Sequence, residues 1–236
     1  MSSETLRLQM ALLQPAQAQK HVTVNEALMR LDGLVNLVLQ SVSTATPPQT
    51  VPDGQCWGVP SAAQGVWAGR GGQVAIGVNG GWVFAPPSTG MRAFVADRGA
   101  EAVHDGTVWV IGALTLGQTG SGLVAGMAEG EVTLTAGSSV VTGVFIPAGA
   151  MVIGAAARVT AALTGTVTTW RLGTSGATNR FGQGLGKSAD SWARGMLGAP
   201  MTYYQPEPLV VTTDSGSFAG GRIKLAVHWL ELRLPL

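Results

Sequence analysis

The sequence predicts a mainly β protein: an N-terminal helix, a small domain of β-hairpins, and a C-terminal antiparallel β-sandwich of jelly-roll type. Three observations carry that expectation. Glycine supplies 34 of the 236 residues, roughly twice the usual share, and keeps no three-residue period, which excludes collagen. Short runs of alternating apolar and polar residues recur along the chain between turn dipeptides, the pattern of half-buried strands. Helical periodicity is confined to one segment near the N-terminus.

That segment follows residues 12–21, rich in glutamine and alanine, which read as an extended arm or loose turn. Thr23-Val24-Asn25-Glu26 has the form of a capping box, with Thr23 as N-cap and Glu26 reaching back. Apolar residues then recur at Val24, Ala27, Leu28, Leu31, Leu34, Val35, Val38 and Val42, a helical period with one face buried. Asp32-Gly33 weakens its middle by about 1 kcal/mol, and Pro47-Pro48 ends the helical region. From 51 to 111 the texture changes to strands and turns. Asp53-Gly54, Asn79-Gly80 and Asp105-Gly106 are hairpin-type turns spaced 26 residues apart (53 to 79, 79 to 105), each followed closely by Trp57, Trp82 or Trp109. A triplicated hairpin unit is expected, with strands at 73–78, 82–85, 92–96, 100–104 and 108–111. Residues 112–130 contain no clear period and read as a glycine-rich linker. Beyond them, alternation at 131–135, 140–146, 151–160, 166–172, 209–213 and 223–232 predicts the sandwich. The expected organisation is therefore an arm and amphipathic helix over 1–46, hairpins over 47–111, a linker over 112–130 and the jelly roll over 131–236.

Composition removes several classes of function. With 46% apolar residues and a net charge of +1, the chain can bury a core and is not intrinsically disordered. Fourteen basic residues against thirteen acidic leave no electrostatic footprint for nucleic acid or anionic lipid. Charged residues make up only 11%, against about 25% in a typical soluble protein, so much surface is expected to be buried between subunits. The stretches 107–128 and 132–157 lack charge but are cut by Gly, Ser and Thr, which suits strands better than a membrane helix. The N-terminus has no basic and apolar regions of a secretory leader, and the chain reads as soluble without membrane insertion.

Catalytic constellations fare poorly. The single Cys56 excludes an intrachain disulfide, and His21, His104 and His228 would all have to converge to hold zinc. No G-x-S-x-G elbow occurs. His104 beside Asp105 reads as the end of a strand at a turn. Glu129, Glu131, Asp190, Glu207, Asp214 and Glu231 lie mostly beside glycine or proline, as solvated turn acids do, and spacing pairs none of them for glycoside cleavage. Gly182 to Ser188 superficially imitates a phosphate loop, but position 181 is Phe and no helical pattern follows. No metal site, no cofactor and no enzymatic activity are expected.

The informative cluster is aromatic and polar together. Trp170, Arg171, Asn179, Arg180, Phe181, Lys187, Asp190, Trp192, Arg194, Tyr203 and Tyr204 fall within 35 residues, among Gly, Thr and Ser. Aromatic faces stack on the apolar faces of sugar rings, and Arg, Asp and Asn fork hydrogen bonds to vicinal hydroxyls. Trp170, Asn179, Arg180, Asp190, Trp192, Tyr203 and Tyr204 are therefore candidate carbohydrate-binding residues. The alternative is that Trp170 and Phe181 are core residues and the loops contact other subunits.

Two stretches carry a family resemblance. The run PAQAQKHVTVNEA at 15–27, followed by Leu31-Asp32, is similar to the opening of a family of unknown-function domains found in alphaproteobacterial prophages and gene transfer agents. The pattern continues through Pro47-Pro48, Asp53-Gly54, Val66-Trp67-Ala68-Gly69, Asn79-Gly80-Gly81-Trp82 and Asp105-Gly106-Thr107-Val108-Trp109, covering roughly 12–111. In the second half, 146–150, 157–160, Arg180-Phe181-Gly182, Tyr203-Tyr204, 217–221 and 225–228 resemble the same kind of virion protein. The resemblance implies a head-spike or tail-fibre adhesin of a phage-like particle that attaches to capsular polysaccharide of the recipient cell. It further implies a homo-oligomer, a trimer before a pentamer, docked on other virion proteins through the N-terminal segment. Such a chain would sit on the particle surface, assembled in the cytoplasm and released by lysis. A purely structural connector and a glycan depolymerase are the alternatives.

Overall fold

Helix α1 spans Lys20–Leu34 in a computed structural model that describes residues 3–13 and 20–235; most of the Gln- and Ala-rich stretch, 14–19, lies outside those residues. Thr23 therefore sits inside the helix and is not its N-cap, which corrects the capping-box expectation: Lys20 to Val22 contain no Gly or Pro to stop the helix from extending ahead of it. The helix stops at Leu34 because Asn36 takes a left-handed backbone, φ 47°, the conformation that ends helices. Val38 and Val42 lie beyond it, and Val38–Leu39 is strand β1.

The buried side of α1 also differs from expectation. Val24 and Leu31 are 42% and 47% exposed, whereas Asp32 and Gly33 face inward. A Cβ on Gly33 would lie 2.7 Å from Ile76 Cγ2 and 3.2 Å from Cys56 Sγ, so glycine lets the helix touch the sheet. Asp32 accepts hydrogen bonds from Thr5 Oγ1 (2.8 Å), Arg7 N (3.0 Å) and Leu8 N (2.6 Å). The Arg7 guanidinium donates to the carbonyls of Asp32, Gly33 and Asn36, where the helix leaves carbonyls unpaired and a cation complements the dipole. The dipeptide read as a weak point is the clasp that holds the N-terminal arm.

The chain divides into two units, Met1–Leu116 and Gly117–Leu236. In the first, β2 (Cys56–Gly58), β3 (Val74–Val78), β4 (Gly81–Ala85), β5 (Arg92–Val95), β6 (Ala100–His104) and β7 (Trp109–Ile111) join β1 in a sheet of order β4-β3-β2-β1-β5-β6-β7. Its central strand β1 is parallel to β2 and β5, and an antiparallel meander lies on each side. Asn79-Gly80, both with positive φ, closes the β3–β4 hairpin. Asp105 Oδ1 accepts from Thr107 N and Val108 N in the β6–β7 turn. Asp53-Gly54, however, leads into β2, whose neighbour β1 is parallel. The triplicated hairpin is thus two hairpins and one crossover. Trp57 and Trp82 meet Trp67 with ring centroids 5.0–6.0 Å apart, while Trp109 packs edge-on to His104. Cys56 is fully buried, and burial pushes its thiol up to about 11, which makes it an inert core residue.

His104 is 3% exposed and its Nδ1 accepts from Gly106 N at 3.2 Å, so it props the turn in its neutral form. Burial holds its pKa below the ordinary value, against the opposing pull of Asp105. The unfolded chain therefore binds this proton more readily. The contribution is complete above the unfolded value of about 6.5 and is lost as pH falls towards the folded value. Urea titrations at pH 7.5 and 5 should show a larger loss of stability for the wild type than for His104→Gln.

Strand β8 (Ala113–Leu116) closes the first unit. The second holds β9 (Gly122–Thr133), β10 (Ser139–Ile146), β11 (Met151–Gly165), β12 (Trp170–Thr174), β13 (Ala177–Leu185), β14 (Trp192–Thr202), β15 (Glu207–Thr213) and β16 (Phe218–Arg233). First pairs with last, β9 with β16; then β10 with β15, β11 with β14 and β12 with β13. Eight strands nested this way, rolled into the sheet β10-β15-β12-β13 and the strands β14-β11-β16-β9 of a second sheet, make a jelly-roll sandwich. Trp170, Leu172, Leu209 and Val211 from one sheet meet Val152, Val159, Ile223 and Val227 from the other in its core.

Much of the expected linker at 112–130 is strand, β8 and most of β9. Its glycines are packing sites: a Cβ on Gly126 would fall 2.3 Å from the Trp229 ring, and one on Gly130 2.9 Å from Val144. Strands β13 and β14 were absent from the sequence-based pattern because glycines interrupt their alternation. At Gly195 a Cβ would lie 1.9 Å from the Phe181 carbonyl oxygen, so β14 can cross β13 only there. Gly195→Ala should lower the unfolding free energy by about 3 kcal/mol, read from urea denaturation; a change within 0.5 kcal/mol would contradict that close approach.

Candidate carbohydrate-binding cleft

The outward face of the sheet β14-β11-β16-β9 is built by strict alternation. On β11, Ala155, Ala157 and Val159 point into the core, which turns Gly154, Ala156, Arg158 and Thr160 outward. The pairing registers align these residues across strands. One row reads Trp192, Arg158, Lys224, Glu131, and the next reads Arg194, Ala156, Ala226, Glu129. Long side chains therefore stand at the margins while two alanines occupy the middle. The result is a shallow cleft of about 400 Å³, floored by Ala156 and Ala226 and walled by Trp192, Arg194, Arg158, Lys224 and Glu129. A second depression of about 260 Å³ adjoins it at Gly154, Met196 and His228.

Trp192 is the distinctive wall. Its side chain is 63% exposed, and the Arg194 guanidinium lies 5.9 Å from its ring centroid, a favourable placement of a cation by an aromatic face. Arg158 forms an ion pair with Asp190 at 3.5 Å. Asp190 has a left-handed backbone, φ 67°, in the turn just before β14, and its N–H donates to the Val159 carbonyl at 2.9 Å. Beside them Thr160 Oγ1 donates to Glu131 at 2.9 Å. An exposed indole on the same sheet face as an exposed guanidinium–carboxylate pair can stack on a sugar ring while the pair forks hydrogen bonds to adjacent hydroxyls.

Of the seven residues expected from sequence, the structure puts Trp192 in the wall of this cleft and Asp190 next to it, paired with the wall residue Arg158. Trp170 is fully buried and its Nε1 donates to the Gly186 carbonyl at 2.8 Å; it is a core residue with no face left for a ligand. Asn179 and Arg180 lie on β13, in the other sheet, where Asn179 Nδ2 donates to Gln183 Oε1 at 3.1 Å. Tyr203 packs against the core, and its backbone N–H and carbonyl bond Ala150 and Gly149. Tyr204 is 81% exposed but follows the far end of β14, whose Thr202 pairs with Met151, roughly 23 Å along β11 from the Arg158 that pairs with Trp192. Closeness in sequence is not closeness in space here. Conversely, Arg158, Lys224 and Glu129 come from three strands distant in sequence; the first two fall in the expected alternating segments 151–160 and 223–232, and Glu129 falls in the expected linker.

Two of the other acids have structural partners. Asp214 pairs with Arg171 Nε at 3.1 Å and accepts from Thr169 Oγ1 and Gly184 N. Glu207 accepts from both the backbone N–H and the hydroxyl of Ser175. Lys187, in the segment that imitates a phosphate loop, donates to the Val167 carbonyl at 3.0 Å.

Residues 24–110 match the model of a family described as "Protein of unknown function (DUF2793)". No curated protein matches the chain. Two solved phage structures are similar to it. One is the cyanophage Pam1 capsid asymmetric unit, at 20% identity over 45% of this chain and 84% of that one, with a TM-score of 0.35. The other is the acidic stable capsid structure of Helicobacter pylori bacteriophage KHP30, at 18% identity over 47% of this chain and 92% of that one, with a TM-score of 0.36. The first unit is thus similar to the DUF2793 family over residues 24–110, and the jelly roll lies outside the matched segment.

Proposed function

We propose that the protein is a surface component of a phage-like particle, a spike or fibre, that binds capsular polysaccharide through its jelly-roll unit without cleaving it. The observation that carries the binding function is the exposed Trp192 beside the Arg158–Asp190 pair over an alanine floor. A large aromatic left in water on a sheet face is an anchor in search of a partner, and its polar neighbours suit a polyhydroxyl ligand. The virion context rests on the sequence resemblance of residues 12–111 to prophage and gene-transfer-agent domains. Within that context the N-terminal segment docks on other virion proteins, and the chain assembles as a homo-oligomer, which multiplies individually weak sugar contacts by avidity.

The test is retention of the purified protein on capsulated recipient bacteria and on an isogenic acapsular strain. Capsule-dependent retention, with the polysaccharide left intact, is expected. Equal retention on both strains would support a structural connector instead, and steady release of reducing ends would mean a depolymerase.

A further inference from the structure

The cleft carries a charge pattern that narrows its ligand, given the binding function just proposed. Its walls hold three cations, Arg158, Arg194 and Lys224, against one acid, Glu129. Arg158 is engaged by Asp190. Arg194 and Lys224 have no acidic partner among the described residues, and Arg194 instead lies beside the Trp192 ring. In a chain with so few charges, two wall cations that make no ion pair single out this cleft, although Glu131 stands opposite Lys224 in the β16–β9 register. We infer that the cleft recognises a carboxylate-bearing polysaccharide, with a uronic-acid-type residue stacked on Trp192 and carboxylates on separate residues of the chain held by Arg194 and Lys224.

The geometry favours a chain over a single sugar. Arg194 on β14 and Lys224 on β16 are separated by β11, so they stand roughly 10 Å apart across the sheet. One monosaccharide carboxylate does not reach both, whereas carboxylates on separate residues of an acidic polymer do. The guanidinium fork of Arg194 offers two parallel hydrogen bonds to a carboxylate, and the ammonium of Lys224 acts as a point charge. Glu129, across the floor from Arg194, accepts from sugar hydroxyls and disfavours a polymer carrying charge at every position. The open, exposed cleft keeps each contact weak and salt-sensitive.

The probe is capsular polysaccharide purified from the strain that retains the protein, before and after chemical reduction of its carboxyl groups to alcohols. Binding of the full chain is measured by titration calorimetry at low and high salt. Carboxyl reduction should weaken binding at least tenfold, Arg194→Gln and Lys224→Gln should each weaken it several-fold, and Lys224→Arg should restore most of the affinity. Trp192→Ala should weaken binding to both forms of the polymer. The inference is overturned if the reduced polymer binds as tightly as the native one, or if the two glutamine variants bind like the wild type; the proposed function survives either result. It is also overturned if dextran sulfate binds as tightly and is indifferent to Trp192→Ala, since the face is then a mere polyanion surface. A change of oligomeric state in Trp192→Ala, read by sedimentation velocity, would mean that the cleft belongs to a second copy of the chain. Absence of binding to the native polymer, with no difference between capsulated and acapsular cells, would instead sink the proposed function itself.

Discussion

Trp170→Ala is expected to destabilise the jelly-roll unit by about 4 kcal/mol, the cost of emptying a large aromatic site in a packed core. Trp170 is fully buried at the start of β12, among residues contributed by both sheets. Its indole also donates to the Gly186 carbonyl at 2.8 Å, so truncation leaves that carbonyl without its partner. Trp170→Phe keeps most of the packing and loses only the hydrogen bond, and should cost about half as much. Urea unfolding followed by far-UV circular dichroism separates the two. A Trp170→Ala protein with unchanged stability would contradict the buried position, and a folded one with impaired polysaccharide binding alone would return Trp170 to the binding surface.

The second large effect is expected at the clasp. Asp32 is 2% exposed and gathers three donors from the arm. Asp32→Ala leaves Thr5 Oγ1 and two backbone N–H groups without their acceptor, at a cost of about 3 kcal/mol. It also frees the arm, because the Arg7 contacts to the helix-end carbonyls then act alone. Limited proteolysis should cut the variant within residues 3–13 under conditions where the wild type resists, while polysaccharide binding by folded protein is unaffected. An arm equally protected in both proteins would contradict the clasp.

Several elements could be read directly from the sequence, for identifiable reasons. Strands β3 to β7 announce themselves because Gly-containing turns close their hairpins, and β10 because its alternation is regular. Strand β9 does not, since Gly126 and Gly130 make room for Trp229 and Val144, contacts made by residues remote in sequence. The same holds for β14, whose Gly195 marks a crossing over Phe181. A glycine demanded by packing looks, in one dimension, like a glycine in a loop. The helix boundary at Asn36 is a backbone event that the uninterrupted apolar period through Val42 conceals.

The residues of the candidate cleft follow the same logic. Trp192 and Asp190 are legible as an aromatic and an acid within a few residues of each other. Pairing them with Arg158 and Lys224 requires the registers of β14 with β11 and of β11 with β16, which local pattern does not specify. Trp170 and Trp192 look equivalent in sequence; one lies at 0% exposure and the other at 63%, because β12 turns its indole inward and β14 turns its own outward.

Binding of Trp192→Ala to capsulated bacteria tests the central claim most directly. Trp192 is exposed, so its removal should leave the circular dichroism spectrum and the unfolding midpoint unchanged while weakening retention on capsulated cells at least tenfold, in line with about 1.4 kcal/mol or more for one aromatic anchor. A correctly folded Trp192→Ala protein retained as strongly as the wild type would contradict the cleft as the site of recognition.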